Sequence, residues 1–145
     1  MKSCFLIGHR DAPEEVFPLL RAAVERHIVE YGVTTFLVGH YGGFDCMAAQ
    51  AVREAKRTHP EVRLTLLLPY YPYPAQDYDG TWYPPGMETV PKRLAIVRAN
   101  QKAIRQVSHL ICYDAGWPGK TRDFVALARR LEKKGLLRVE NLAKP

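Results

Sequence analysis

The sequence predicts an α/β protein: a three-layer, Rossmann-like sandwich on a five-stranded, mainly parallel sheet. Three observations carry that prediction. Short apolar runs alternate with stretches of helical periodicity along the whole chain, a pattern that implies right-handed crossovers and a parallel sheet covered on both faces. Two of the runs, residues 3–7 (SCFLI) and 34–38 (TTFLV), end in glycine-punctuated turns, Gly8-His9-Arg10 and Gly39-His40-Tyr41-Gly42-Gly43-Phe44-Asp45. Each turn then leads into a helical stretch. In such a sheet ligands bind in the crevice at the carboxyl ends of the strands. Helix N termini there offer free N–H groups and a partial positive charge to an anion.

The first strand is expected at about residues 3–8. A helix should follow from Pro13 to Tyr31, with Phe17, Leu20, Val24 and Ile28 spaced along one face. Asp11 is its expected N-cap, Pro13 sits in the first turn, and Glu14 and Glu15 lie beside the positive helix end. Gly32 closes it. The second strand and helix fall at about 34–39 and 44–58, and Val62–Leu68 forms a third strand that stops at Pro69. Residues 69–91 hold six prolines, five tyrosines and a tryptophan, and read as an irregular insertion. A helix at Lys92–Gln106, a strand at Val107–Tyr113, a helix at Arg122–Lys134 ended by Gly135, and a strand at Leu136–Leu142 complete the chain. The expected strand order is 3-2-1-4-5, which puts the topological switch between the first and fourth strands.

The 145 residues make one domain, 1–145, with room for a real core. A 47% hydrophobic and 25% charged composition is ordinary for a globular protein. No apolar run approaches the ~20 residues that span a bilayer, and no secretory leader is visible, so the reading is a cytoplasmic, bacterial protein without a membrane partner. Cys4, Cys46 and Cys112 are odd in number and far apart, with no metal-ligand spacing and no CxxC. Reduced thiols are expected, and neither a metal nor a cofactor is implied. The net charge of +6, from 21 basic and 15 acidic residues, suits attraction of a small anion. Nucleic-acid binding normally shows a denser basic stripe with interleaved aromatics, and is not expected.

Three turns carry candidate chemistry. After the first strand, Gly8 allows a close backbone approach, Arg10 can fork onto a phosphate or carboxylate, and His9 can donate to it or act as an acid or base. The same residues also read as a tight turn with polar side chains facing water. The second turn, Gly39-x-x-Gly42-Gly43-x-Asp45, is not the dinucleotide GxGxxG, but it sets small residues at a helix start, as an anion-binding nest requires. Asp45 either caps that helix or hydrogen-bonds a ribose hydroxyl. In the third turn, Gly119-Lys120-Thr121 resembles the end of a P-loop, yet Asp114 stands where the first glycine belongs and no magnesium-binding carboxylate motif is evident, which argues against a P-loop ATPase. Gly116, Gly119, Lys120 and Thr121 can still hold phosphate through N–H groups and an ammonium. In the insertion, Tyr70, Tyr71, Tyr73, Tyr78, Trp82 and Tyr83 offer a stacking surface for a base, a lid, or a subunit contact.

Together these elements resemble the SLOG superfamily, named after the DNA-processing protein Smf/DprA and the cytokinin-activating LOG enzymes, and within it a branch of small bacterial proteins. The likeness spans nearly the whole chain. It rests on Gly8-His9-Arg10, on Phe36-Leu37-Val38-Gly39 with Gly42-Gly43-Phe44-Asp45, on Pro69-Tyr70, and on Val90-Pro91 leading to Arg93. Asn100 and Gly119-x-Thr121 complete it. The resemblance implies a Rossmann-like fold that binds a nucleotide or a nucleotide-derived phosphorylated ligand, and a homodimer. Departures are specific. Where the branch has Arg-Asn this chain has Ala99-Asn100, leaving Arg98, one position away, to supply the charge. Lys120 replaces the second glycine of a Gly-Gly pair. The LOG-type PGGxGTxxE motif has Phe124 at its glutamate, with Asp123 one residue early.

The leading expectation is therefore a nucleotide-binding or sensing module that uses the three turns, Tyr70, Arg98 and Asn100. The alternative is a LOG-type phosphoribohydrolase cleaving an N-glycosidic bond, with Asp114, Asp123 and His9 as catalytic candidates. DprA-like nucleic-acid binding ranks last.

Overall fold

The computed structural model describes residues 2–70 and 75–143. The elements are β1 (Lys2–Gly8), α1 (Val16–Val29), β2 (Val33–Val38), α2 (Gly43–Ala55), β3 (Arg63–Leu67), β4 (Gly80–Trp82), α3 (Lys92–Gln106), β5 (His109–Tyr113), α4 (Lys120–Lys133) and β6 (Arg138–Asn141). A short 3-10 turn occupies Met87–Thr89. Every strand pair is parallel, and the order is β4-β3-β2-β1-β5-β6.

The sheet thus has six strands, not the five expected. The expected order survives inside it, and the extra strand, β4, joins the β3 edge from within the 69–91 segment. Three residues are too short to show strand periodicity, and side-chain chemistry holds them in place. The Asp79 N–H donates to the Leu64 carbonyl at 2.8 Å, and the Asp79 carboxylate accepts from the Leu64 N–H at 2.7 Å and pairs with Lys56. Arg63 reaches the Asp79 carbonyl at 2.9 Å.

Alternation along β1 sorts the core into two layers. Cys4 and Leu6 pack with α1 and α2, while Phe5 and Ile7 pack with α3 and α4. Helix α3 lies against the sheet on a stripe of small residues, Ala95, Ala99 and Ala103, each at most 2% exposed. Cys4 and Cys112 are buried free thiols, and burial pushes Cys112 up to about 12. No helix among the described residues is long and apolar enough to cross a membrane.

Helix α1 begins later than the sequence suggests, with Glu15 rather than Asp11 at its N-cap. The chain leaving β1 first turns back on itself, the Ala12 N–H donating to the His9 carbonyl at 3.1 Å, and single turns at Pro13 and Glu14 precede the helix. Asp11 is left at the mouth of a cleft.

The glycines that end β1 and start α2 are dictated by protein packing. A Cβ on Gly8 would sit 2.6 Å from the fully buried Phe44 ring, and one on Gly42 would sit 2.9 Å from the Arg10 Cα. Gly8→Ala should therefore overpack the core and destabilise the fold by roughly 1–3 kcal/mol, read as a lower thermal midpoint. Phe44→Leu in the same chain should recover part of the loss. An unchanged midpoint for Gly8→Ala would contradict this packing.

Candidate functional site

A cleft of about 410 Å³ opens at the carboxyl ends of β1, β2 and β5. Its walls are the three turns singled out in the sequence, and the structure shows how they interlock. The Arg10 carbonyl accepts from the Gly43 N–H at 2.9 Å. The Arg10 Nε donates to the Tyr41 carbonyl at 2.7 Å, which holds the guanidinium while Arg10 lines the cleft. Helix α2 starts on Gly42 with no side-chain cap. The N–H groups of Phe44 and Asp45 in its first turn have no helical acceptor. Helix α4 starts on Gly119, also uncapped, at φ 130°, a conformation that favours glycine. Its first residues, Lys120 and Thr121, line the cleft.

Asp45 is a first-turn residue that reaches backwards, its Oδ2 accepting from the Tyr41 N–H at 2.9 Å. The bond goes to the residue before the Gly42 N-cap, so Asp45 ties the turn to the helix without capping it. Burial pushes its carboxyl up to about 6, against the opposing effects of the Tyr41 N–H and the nearby Arg10 charge. Gly39 lies under it, and a Cβ there would stand 3.0 Å from Oδ2.

His9 makes contacts that tie two of the turns together. The residue is 4% exposed, and its Nε2 accepts from the Ala115 N–H at 2.9 Å. A backbone N–H can only donate, so Nε2 carries the lone pair and the imidazole is the neutral Nδ1–H tautomer. The ring stacks on Trp117 at 4.6 Å between centroids and meets Tyr113 edge-on. His9 thereby joins the β1 turn to the β5 turn. Asp114 belongs to the same scaffold: its carboxylate accepts from the Gly116 N–H at 2.9 Å, and its backbone is held by Asn141.

Of the residues expected to bind ligand, Gly8, His9, Arg10, Gly39, Gly42, Asp45, Asn100, Gly119, Lys120 and Thr121 line this cleft. Gly43 is exposed just behind the helix start, and Gly116 shapes the turn at φ 84° without lining the cleft. Arg98 is exposed on α3 and outside the lining, because its neighbour Ala99 faces the sheet and one residue rotates a helix by about 100°. Tyr70 packs on the α3–α4 side of the core with Lys92 over its ring. Trp82 and Tyr83 join that side and Tyr78 the other, while Tyr71 and Tyr73 fall outside the described residues. Asp114 and Asp123 are also outside the lining, and Asp123 faces a groove between α3 and α4.

Sequence reasoning missed Trp117. It is 39% exposed, lines the cleft and supplies the aromatic surface sought in the insertion. Its signal was its place between Gly116 and Gly119 in a turn at a strand end. Phe44, Ile96 and Phe124 add apolar surface.

No family model matches the chain, and no curated protein matches it. Solved structures do. A molybdenum cofactor carrier protein from Chlamydomonas reinhardtii aligns with a TM-score of 0.60 at 16% identity, over 99% of this chain and 92% of its own. The DNA processing protein A of Helicobacter pylori, described with a single-stranded DNA binding mode, aligns at 0.58 with 15% identity, over 97% and 76%. At these identities the likeness is one of fold. Both share the Rossmann-like α/β architecture of this chain.

The Asp45 shift sets a sign for stability. Its folded value lies above the ordinary 3.8, so the stability it contributes is present below that value and lost as pH rises through about 6. Asp45→Asn keeps an acceptor for the Tyr41 N–H and removes the buried charge. It should raise thermal stability at pH above 7 by roughly 1–2 kcal/mol, after allowing for partial exposure, and leave it nearly unchanged near pH 4. Melts across that range check this, and a variant less stable at both ends would contradict it.

Proposed function

We propose that this chain binds a nucleotide or nucleotide-derived phosphorylated ligand in the cleft above β1, β2 and β5. One observation carries the reading: two uncapped helix N termini, those of α2 and α4, border one cleft together with Arg10 and Lys120. Free N–H groups, aligned peptide dipoles and two cations form an environment suited to phosphate. Trp117 and Ile96 offer flat and apolar surface for a base, and Asn100 offers a polar edge to read it. Asp45 suits a ribose hydroxyl, since a carboxyl that titrates near 6 accepts or donates a hydrogen bond according to pH.

Binding is favoured over N-glycosidic cleavage. The carboxylates proposed for cleavage are committed elsewhere, Asp114 to its own turn and Asp123 to the α3–α4 groove. His9 Nε2 accepts a hydrogen bond from the Ala115 N–H. That one fold neighbour carries a cofactor and another binds single-stranded DNA supports ligand binding in the broad sense.

Calorimetric titration with AMP, ADP, NAD and ADP-ribose tests the proposal. Arg10→Ala should weaken the best of these by about 1–2 kcal/mol, roughly 5- to 30-fold. Affinity for the wild type should rise as pH falls through about 6, where Asp45 loses its charge, and Asp45→Asn should flatten that rise. No heat and no thermal stabilisation from any of the four would overturn the reading.

A further inference from the structure

Charge is spread very unevenly over the two helical layers. Helices α3 and α4 carry ten of the chain's 21 lysines and arginines and two of its 15 acids, leaving eleven against thirteen elsewhere. The other layer is balanced, with Arg21, Arg26 and Arg53 against Glu25, Asp45 and Glu54. The formal excess of +6 therefore resides on one face. It is not neutralised internally. Among the described residues, Arg129 with Glu132 is the ion pair on that face. Arg98, Lys102 and Arg105 set like charges four and three residues apart, an arrangement that costs helix stability.

Between the two helices runs a groove of about 320 Å³. Val97, Phe124 and Leu127 form an apolar floor, and exposed Arg105, Lys120 and Arg130 form its rim, with Asp123 as the acid among the lining residues. We propose that this face docks an acidic, amphipathic helical segment of a protein partner. The segment's apolar stripe would fill the floor, and its carboxylates would pair with the rim guanidiniums. Two features select a polypeptide over a nucleic-acid strand. The floor is apolar, and neither helix exposes an aromatic ring, Phe124 being 6% exposed, whereas single strands are gripped largely by stacking on aromatics.

Fluorescence anisotropy on the full chain tests this with two labelled probes. One is an amphipathic helical peptide of leucine and glutamate, the other an oligothymidylate of similar length. The peptide should bind with an affinity that falls as salt is added. The double variant Arg105→Glu/Arg130→Glu should weaken it by roughly tenfold or more. That variant relieves like-charge repulsion, so a melting temperature at or above the wild-type value shows that the fold is kept. Val97→Asp should weaken the peptide as well, by placing a charge in the floor. Failure of the peptide to bind the wild type, or binding that the charge reversal leaves unchanged, would overturn the proposal. So would oligothymidylate binding more tightly than the peptide and losing its affinity in the same variant.

Discussion

The site depends on a steric constraint: the turn after β1 and the start of α2 are packed with no clearance. Phe44 leaves no space for a side chain on Gly8, and the Arg10 backbone leaves none on Gly42. A hydrogen bond from Gly43 to the Arg10 carbonyl closes the contact. Because β1 and β2 are adjacent and parallel, their turns emerge side by side, and the small residues let them touch. The geometry of the cleft follows. Tyr41, held between the turns, accepts from Arg10 through its carbonyl and donates to Asp45 through its N–H. A cation and a carboxyl are thus fixed by the backbone of one residue before any ligand arrives, which lowers the ordering cost of binding.

The third wall is attached differently. The β5 turn contacts the others through His9, whose neutral ring is spent on Ala115 and Trp117. Asn141, at the end of β6, holds Asp114 from the opposite side. The histidine and the aspartate at these strand ends both hold the β5 turn, through the N–H groups of Ala115 and Gly116 and the Trp117 ring. The two surfaces also differ in charge, since the cleft holds a few fixed charges of both signs whereas α3 and α4 are broadly cationic.

Much of this was legible in the chain. The alternation of apolar runs and helical stretches gave the layers and the order of five strands, because burial on both faces of a parallel sheet writes itself into composition. The three turns were legible because glycines at strand ends are conspicuous. What stayed hidden depends on contacts distant in sequence. β4 exists because Asp79 bonds Leu64 and Lys56, and no local pattern announces that. Asp11 lost its capping role to a turn closed by His9. The most aromatic segment drew attention from Trp117, while Tyr70 and Trp82 proved to be core-facing. Helix rotation places Arg98 outside the cleft lining while Ala99 faces the sheet.

The central claim is that the uncapped starts of α2 and α4, with Arg10, form one anion site. Amide chemical-shift mapping of the isotopically labelled protein during titration with AMP tests it most directly. The account predicts the largest shifts at the N–H groups of Phe44, Asp45, Lys120 and Thr121, with a response at Arg10 and the Trp117 indole. Shifts confined to the outer face of α3 and α4, or none at millimolar AMP, would contradict it.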